Sequence, residues 1–344
     1  MKKAVILFNL GGPDKLENVK PFLFNLFNDP AILNLPTFLR YPLAKLIANR
    51  RAPIAKKIYE ELGGSSPILK LTEDQSTALE KKLNQNEKSE EYKCFIVMRC
   101  WHPRAEEIIK NVKLYNPDEI ILMPLYPQYS AATSGSSIKE WNDVCKKNNY
   151  KIKTSVICCY PTDKNFINAH TKEINKKIKD LKNFKLIFSA HGLPEKNIKK
   201  GDPYQWQVEQ SVNKIIENLN HHNLDWILSY QSRVGPLKWI GPSTDDTIIE
   251  NAKNGKHIVL VPIAFVSEHS ETLVELDIEY KKLAMDNGCK QYTRIPALGT
   301  NEDFIKSMSE LIIKKDEYKF NDYLCPPEIK CPSHLKKCPC LNYE

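Results

Sequence analysis

Long hydrophobic runs are missing from this chain of 344 residues, which limits the classes of protein it can belong to. No uninterrupted apolar stretch approaches the roughly 20 residues that a membrane-spanning helix requires. The first residues enter a strand-like run and a Gly-Gly-Pro turn without the leader of a secreted protein, so we expect no signal peptide. These absences favour a cytoplasmic globular protein, and the hydrophobic content of 42% agrees.

The chain also lacks the short motifs of several common enzyme classes. No Gly-x-Gly-x-x-Gly turn or phosphate-binding Gly-Lys-Ser/Thr loop follows a strand-like segment, which argues against dinucleotide and nucleotide chemistry. The segment Glu268-His-Ser-Glu271 is not the His-Glu-x-x-His motif of zinc proteases. Although 50 Lys and Arg exceed 42 Asp and Glu, no basic arm is present, so we expect no nucleic-acid partner. The charge indicates a solvated lysine-rich surface, or weak attraction to anionic lipid or ligands.

What is present is an alternation of helix-like and strand-like segments. Helix-like patterns cover 54–62, 72–84, 104–114, 204–219, 244–253 and about 302–313, and strand-like runs cover 3–10, 93–98, 119–125, 184–190, 225–230 and 257–263. Strands that alternate with helices predict parallel sheets. Because Ile121-Leu-Met-Pro-Leu125 resembles Val259-Leu-Val-Pro-Ile263, we predict an α/β fold of two Rossmann-like domains facing one cleft. We place an N-terminal domain at 1–150, a C-terminal domain at 151–320 and a cysteine-rich tail at 321–344.

Residues 21–41 form an unusually apolar segment interrupted by prolines. Prolines disfavour one long helix, so we expect short helical pieces. The segment predicts either an ordinary pair of core helices or an exposed apolar lip that touches a membrane.

The stretch Leu186-Ile-Phe-Ser-Ala-His191-Gly-Leu-Pro194 leads from an apolar strand into a turn. Ligands of open parallel sheets bind beyond the carboxyl ends of the strands, so we expect His191 at the mouth of a cleft. A neutral imidazole has the basicity to remove a proton near pH 7, and with a carboxylate it can also bind a divalent metal. We expect Glu271 to be that carboxylate.

Four glutamates follow in a segment expected to be helical, namely Glu268, Glu271, Glu275 and Glu279. At about 100° per residue they fall within about 80° of one another on an α-helix. Like charges along one face repel, so this stripe indicates a path for protons or metal ions. The alternative is a surface helix whose carboxylates pair with lysines. His269 points about 100° away from the stripe, which indicates a core or supporting histidine.

Aromatic side chains and cysteines form two further groups. The aromatic residues at expected strand ends and loops would suit a flat apolar ligand, although each alone is more often a core residue: Tyr59, Trp101, Tyr126, Tyr129, Trp239 and Phe265. Ten cysteines without a secretory leader indicate a reducing compartment, where thiols are core residues or metal ligands. Cys325, Cys331, Cys338 and Cys340 are concentrated near the C-terminus.

A colinear series of motifs runs over nearly the whole chain. The motifs are Phe8-Asn-Leu-Gly-Gly-Pro13, Arg50-Arg51, Gly-Gly-Ser-Ser-Pro67, Tyr-Pro-Gln-Tyr-Ser130, Phe-Ser-Ala-His-Gly-Leu-Pro194, Gly-Asp-Pro-Tyr204, Gln-Ser-Arg-Val-Gly-Pro236, Trp-Ile-Gly-Pro242 and Pro-Ile-Ala-Phe-Val-Ser-Glu-His269. Together they resemble the motifs of the ferrochelatase family. The resemblance implies a chelatase fold that inserts ferrous iron into protoporphyrin IX, with protohaem and two protons as products.

The resemblance also implies roles for individual residues. His191 is expected to remove pyrrole protons or bind Fe²⁺, with Glu271 as its partner, and Glu275 and Glu279 are expected to form an acidic exit path on a distorted helix. The residues expected to line the macrocycle are Leu10, Tyr59, Arg99, Tyr126, Trp239 and Phe265. Segment 21–41 corresponds to the lip that collects porphyrin at the inner membrane, where the protein would be peripherally associated.

The cysteine tail resembles that of bacterial ferrochelatases with a two-iron two-sulfur (2Fe-2S) cluster. Cys331-x6-Cys338-Pro-Cys340 would supply three ligands, and the body of the protein the fourth. Ala131 stands where animal members have their internal cysteine, so Cys158 or its neighbour Cys159 is the expected ligand. Zinc binding and a disordered thiol-rich tail are the alternatives.

Other functions are open at this point. The same His–Glu pair would suffice to insert iron into coproporphyrin III, or cobalt into a related tetrapyrrole. A protein of two lobes could also be a porphyrin- or haem-binding carrier without activity. The apolar lip favours the less polar protoporphyrin, and the sequence leaves a homodimer open.

Overall fold

Two β-sheets organise the chain, one in each of two units. The computed structural model describes residues 1–85, 90–221, 223–233, 235, 237–315, 319–320, 323–324 and 330–341. Unit 1 comprises Met1–Cys159 and Met308–Cys325, and unit 2 comprises Tyr160–Ser307 and Pro326–Glu344. Both units are discontinuous, whereas the sequence analysis placed continuous domains at 1–150 and 151–320.

The strands and helices follow the predicted alternation. The strands are β1 (Lys2–Asn9), β2 (Glu91–Met98), β3 (Glu119–Pro124), β4 (Thr154–Ile157), β5 (Phe184–His191), β6 (Trp226–Gln231), β7 (His257–Pro262), β8 (Tyr292–Arg294), β9 (Lys319–Phe320) and β10 (Tyr323–Leu324). The α-helices are α1 (Val19–Phe27), α2 (Thr37–Glu60), α3 (Ile68–Leu83), α4 (Ala105–Tyr115), α5 (Ser134–Lys147), α6 (Lys164–Ile178), α7 (Glu195–Lys199), α8 (Tyr204–Asn218), α9 (Thr244–Lys253), α10 (Tyr280–Asp286) and α11 (Glu302–Ile313). A 3₁₀ turn spans Leu16–Asn18 and a π-helix spans Glu271–Glu279.

The sheet of unit 1 has the strand order β2-β1-β3-β4-β10-β9. Its pairings are parallel except that of β9 with β10. Residues Ala4–Phe8 of β1 are fully buried, as expected for a central parallel strand covered on both faces. On one face, Phe8 packs against Trp141 of α5, with ring centroids 6.4 Å apart, and Ile109 of α4 joins the same core. The predicted parallel α/β fold is confirmed.

Segment 21–41 is interrupted as expected, because α1 ends at Phe27 and α2 begins after Pro36, but α2 is much longer than the helix predicted at 54–62. α2 continues through Pro42 and Pro53, although a proline inside a helix costs about 3 kcal/mol. Both prolines are exposed, whereas Ala44, Ala48 and Ala52 recur every four residues and are buried. The apolar cluster between α1 and α2 includes the last two alanines, and this packing offsets the missing backbone hydrogen bonds.

The sheet of unit 2 positions the strand end that the sequence analysis singled out. β5 lies between β6 and β7 in the parallel order β6-β5-β7-β8. Leu186, Ile187 and Phe188 are fully buried, and each such side chain stabilises the fold by roughly 1.5–3 kcal/mol. His191 is in register with Gln231 of β6. Both residues therefore lie at the carboxyl edge of the sheet, where such folds bind ligands.

The acidic segment forms a π-helix, as the resemblance implied, instead of the regular α-helix assumed for the stripe. A π-helix pairs residue i with i+5, so the spacing of 100° per residue does not hold. Side chains of β8 support this unusual backbone. Tyr292 Oη donates to the Leu276 carbonyl at 2.5 Å, and Arg294 Nη2 binds Asp277 Oδ2 at 2.6 Å.

Candidate active site

The centre of the candidate site in unit 2 is His191. Its Nδ1 lies 2.7 Å from the Gly192 carbonyl oxygen, and its Nε2 lies 3.4 Å from Oε1 of Glu271. Because a carbonyl oxygen only accepts, Nδ1 must bear a hydrogen, and Nε2 is the nitrogen available for proton transfer or metal binding. The His191 side chain is 40% exposed and that of Glu271 32%, so a ligand can reach both.

The backbone around His191 is fixed by neighbouring elements. Tyr204, at the start of α8, donates its hydroxyl to the His191 carbonyl at 3.1 Å. Gly192 donates its N–H to the Gln231 carbonyl at 2.8 Å. A Cβ atom at Gly192 would lie 2.9 Å from that carbonyl oxygen, so only glycine fits there.

The surroundings of His191 favour its protonated form. Burial lowers the pKa of His191, but the charge and hydrogen bond of Glu271, with help from the Gly192 carbonyl and Glu275, raise it to about 9. Near neutral pH these contacts favour an imidazolium at His191. His191 must pass this proton on before Nε2 can act as a base or bind a metal ion.

Glu275 provides a second carboxylate on the same π-helix. Its Oε1 accepts from the Ser232 N–H at 2.9 Å and lies 3.1 Å from Tyr280 Oη. Its Oε2 accepts from Ser232 Oγ at 2.6 Å and Gln231 Nε2 at 3.1 Å. Burial and the charge of Glu271 raise the pKa of Glu275. This carboxylate can therefore hold a proton more readily than an exposed one.

The other two glutamates of the predicted stripe differ from this pair. Glu268 Oε1 accepts from Arg294 Nη1 at 2.7 Å and from the Ala297 N–H at 2.9 Å. Because Arg294 already pairs with its charge, Glu268 is a poorer proton carrier than Glu275, and its place in the proton path stays a prediction. Glu279, the last residue of the π-helix, is exposed, and its side chain makes no hydrogen bond or ion pair within the described residues.

Aromatic rings of unit 2 lie beside these groups. The Trp239 ring is close to Gly192, since Cε3 would be 3.2 Å from a Cβ atom at that glycine. The Phe265 ring contacts the His269 ring edge-on, with centroids 4.7 Å apart. His269 is buried, burial lowers its pKa, and its Nδ1 accepts from the Glu271 N–H at 3.2 Å. His269 thus supports the start of the π-helix, as the sequence analysis expected.

Arg99 of unit 1 is held in a polar network. Its Nε donates to Ser136 Oγ at 2.7 Å, and its Nη2 binds Asp29 Oδ2 at 2.9 Å. Ser136 Oγ in turn donates to the same Asp29 oxygen at 2.5 Å. The Arg99 side chain is only 13% exposed. Its predicted contact with the macrocycle stays a prediction, and protein groups already occupy most of its donors.

The other predicted binding residues of unit 1 fall into two places. Leu10 and Tyr59 pack in one apolar cluster with Cys100 and Trp101. Tyr126 packs against the core beside β1 and β3, its hydroxyl is buried, and burial raises its pKa. These side chains provide apolar surface in unit 1.

Several residues that contact Glu275 or support the π-helix were not predicted from the sequence. Gln231 and Ser232 follow a strand-like run, and their place at a strand end was a usable signal. Tyr280 and Arg294 had no such signal. Their roles depend on tertiary contacts with the π-helix.

The C-terminal cysteines lie in a small apolar cluster of unit 2. Cys331, Leu335 and Cys338 are buried, with Cys340 and Trp206 of α8 packed against them. Cys340 is disulfide-bonded, which conflicts with a thiolate ligand. No group of three or more His, Cys, Asp or Glu within the described residues is arranged to hold a metal ion. The thiols are gathered, but as arranged they do not fit a cluster.

Two other cysteines of that prediction are placed differently. Cys158, the expected internal ligand, and Cys159 are buried just after β4 in unit 1. Cys325 lies outside the described residues.

The apolar segment exposes part of its surface. Phe22 and Leu23 are buried, as in a core helix, but the following loop and the start of α2 expose Ile32, Leu35, Phe38, Leu39, Tyr41 and Leu46. Phe38 is 75% exposed. Among the helices that the structure describes, none has both the length and the apolar composition to cross a membrane.

Solved structures identify the class of the fold. SirB from Bacillus subtilis with Fe3+ matches with a TM-score of 0.55 and 12% identity over 93% of this chain and 99% of that chain. The sirohydrochlorin chelatase SirB from Bacillus subtilis subspecies spizizenii, in complex with cobalt, gives a TM-score of 0.53 and 12% identity over 92% and 96% of the two chains. At such low identity these matches concern the fold alone, which is that of the chelatases.

Sequence comparisons then identify the family. The ferrochelatase family model matches residues 2–316. A ferrochelatase of Pelagibacter ubique (strain HTCC1062) is 84% identical over 100% of both chains. A ferrochelatase of Rickettsia bellii (strain OSU 85-389) is 51% identical over 98% of this chain and 95% of the relative. The chain therefore belongs to the ferrochelatase family, whose members are metal chelatases of the lyase class, and the resemblance found in the sequence is confirmed.

Proposed function

We propose that this protein inserts Fe²⁺ into protoporphyrin IX, forming protohaem and releasing two protons. Within the ferrochelatase family assignment, the main support is the partly exposed pair of His191 and Glu271, with Nε2 and Oε1 3.4 Å apart. This pair offers a nitrogen base and a carboxylate at the carboxyl edge of a parallel sheet.

The reaction explains why a base needs acidic neighbours. Insertion replaces two pyrrole N–H bonds with bonds from nitrogen to iron, so two protons must leave the ring. Neutral His191 accepts a pyrrole proton at Nε2 and transfers it to Glu271, which regenerates the base for the second proton. Glu275, whose pKa is raised, receives protons from Glu271. Fe²⁺ is a substrate, and Nε2 with a Glu271 oxygen is a suitable donor set for holding it.

Apolar surface has a separate task in this reaction. A planar porphyrin presents its inner nitrogens poorly, so binding energy has to bend the ring before the metal enters. Trp239 and Phe265 in unit 2 are the proposed contacts that supply it.

Anaerobic metal insertion tests the proposed function. Purified protein with protoporphyrin IX and Fe²⁺ should convert the porphyrin absorption spectrum to that of haem, and coproporphyrin III should react more slowly. Faster insertion into coproporphyrin III would indicate that coproporphyrin III, and not protoporphyrin IX, is the substrate. Binding of porphyrin without any spectral change on adding Fe²⁺ would indicate a carrier and contradict the proposal.

Peripheral membrane association is a further part of the proposed function. The exposed apolar residues from Ile32 to Leu46 support it, because exposed apolar patches often mark contact surfaces. Phe38→Ser should reduce cosedimentation with vesicles containing anionic lipid. The matched control is Leu114→Ser, since Leu114 is also exposed, at 84%, but lies on α4. Equal binding of both variants to the vesicles would contradict the proposal that the lip contacts the membrane.

The 2Fe-2S cluster has weaker support. The apolar cluster around Cys331 and Cys338 favours it, whereas the disulfide of Cys340 and the lack of a ligand group among the described residues oppose it. Iron and sulfide analysis with a visible spectrum of anaerobically purified protein tests it. A colourless and iron-free protein would leave the tail as a thiol-rich structural segment.

Oligomeric state and location are also proposed on the sequence alone. A homodimer would double the mass measured by light scattering, and cell fractionation would test a cytoplasmic enzyme bound to the inner membrane surface.

A further inference from the structure

Glu275 is connected to a second acidic residue through a single tyrosine hydroxyl. Tyr280 Oη lies 3.1 Å from Glu275 Oε1 and 3.0 Å from Asp245 Oδ2. Tyr280 is the first residue of α10, and its ring is buried in the core of unit 2. Asp245 is exposed in the first turn of α9. One buried phenol therefore bridges an interior carboxylate and a carboxylate in water.

We infer that Tyr280 and Asp245 form the proton exit of the active site. A proton on Glu275 transfers to a lone pair of Tyr280 Oη while the original phenol proton transfers to Asp245 Oδ2. One O–H bond forms at the phenol as another breaks, so Tyr280 is unchanged and Asp245 releases the proton to water. The inference rests on the proposed ferrochelatase reaction, because that reaction supplies the protons.

The other contacts of Glu275 are poorer routes to solvent. The Ser232 N–H and the Gln231 amide are donors that do not readily accept and release a proton. Ser232 Oγ donates to Glu275, and the described residues give it no second carboxylate. Tyr280 is the contact of Glu275 whose oxygen also reaches an exposed acid.

The phenol has the protonation state that a relay requires. Burial, followed by the charges of Glu275 and Asp245, raises the pKa of Tyr280 far above its usual value. The hydroxyl thus keeps its proton between transfers and does not accumulate as a phenolate. The route from Glu275 through Tyr280 to Asp245 also differs from the predicted route, which follows the π-helix to Glu279. It reaches water at α9.

Single-turnover iron insertion by purified full-length variants tests this proton exit. Under these conditions slow release of haem does not limit the observed rate, so an effect on proton transfer can be measured. Asp245→Asn keeps an acceptor for the Tyr280 hydroxyl but cannot take up a proton near neutral pH. Asp246→Asn is the matched control, because it removes the same charge from the neighbouring exposed residue of α9. We expect Asp245→Asn and Tyr280→Phe to slow insertion by about tenfold or more, a modest share of what proton transfer usually contributes.

The details of the result separate a relay from a structural role. We expect Asp245→Asn to leave porphyrin affinity unchanged and to increase the solvent deuterium isotope effect, while Asp246→Asn behaves as wild type. Three results would each overturn the inference. They are insertion of iron at the wild-type rate by Asp245→Asn, equally slow insertion by both asparagine variants, and slow insertion by Glu279→Gln alone. If the wild-type protein inserts no iron, the proposed function is overturned as well. If the wild-type protein is active and Asp245→Asn is equally fast, only the proposed proton exit is overturned.

Discussion

Replacement of Arg294 by methionine should destabilise the acidic helix through the loss of three charge-assisted hydrogen bonds. Arg294 Nε and Nη2 bind the two oxygens of Asp277 at 2.7 and 2.6 Å, and Nη1 binds Glu268 at 2.7 Å. Glu268 precedes the π-helix and Asp277 lies within it. Arg294 therefore ties two positions of the segment to β8.

The structure sets the size of the expected effect. Arg294 and Glu268 are 10% and 20% exposed, and removing one partner of a buried ion pair costs about 3–5 kcal/mol. Asp277 is 37% exposed and can regain water, and Glu268 keeps the Ala297 N–H, so the lower end applies. A loss of about 3 kcal/mol lowers the unfolding midpoint by roughly 6–12 °C for a unit of this size.

Thermal unfolding followed by circular dichroism measures this change. Lys282→Met is the matched control, because Lys282 pairs with Asp286 on α10 with both side chains exposed, and it should cost less than about 0.5 kcal/mol. Glu268→Gln should likewise lower the midpoint but leave iron insertion largely intact below that temperature. Equal midpoints for the arginine and lysine variants would refute the reasoning.

Two further predictions concern stability in unit 2. Burial lowers the pKa of His170 in α6 to about 3 from the ordinary 6.5, so the unfolded chain takes up a proton below pH 6.5 that the folded one does not. The free energy of unfolding should therefore fall by about 1.4 kcal/mol for each unit that the pH decreases between these values. In denaturant titrations, the free energy of unfolding of His170→Leu should depend less on pH in this range. The same dependence on pH in wild type and variant would contradict this prediction. Asp163 caps α6 by accepting from the N–H groups of Asn165 and Phe166, both at 3.0 Å, so Asp163→Ala should lower the unfolding free energy by about 1 kcal/mol, and an unchanged urea midpoint would contradict the cap.

The strands and the central histidine were predictable because they depend on local pattern. Apolar runs fixed β1, β3, β5 and β7 to within a residue or two, and the polar turn after Ala190 indicated that His191 ends a buried strand. The pairing of His191 with Glu271 followed from residue chemistry and the family resemblance, and the structure places the two side chains together.

Features that depend on tertiary contacts were not predictable. The length of α2 was misjudged because an alanine stripe packed on α1 outweighs two exposed prolines. The ion pair of Glu268 with Arg294 could not be read from a helical wheel, because Arg294 lies on a strand that comes later in the chain. The contact of Tyr280 with Asp245 likewise joins residues on two separate helices.

The central claim, that Nε2 of His191 takes part directly in metal insertion, is tested most directly by single-turnover Fe²⁺ insertion with His191→Ala. The control is His257→Ala, because His257 begins β7 at the opposite edge of the sheet and bonds Thr293. We expect His191→Ala to fold and bind porphyrin, to insert iron at least about 100-fold more slowly, and to recover partly with added imidazole, while the control retains near wild-type activity. Insertion at the wild-type rate by His191→Ala would contradict the account.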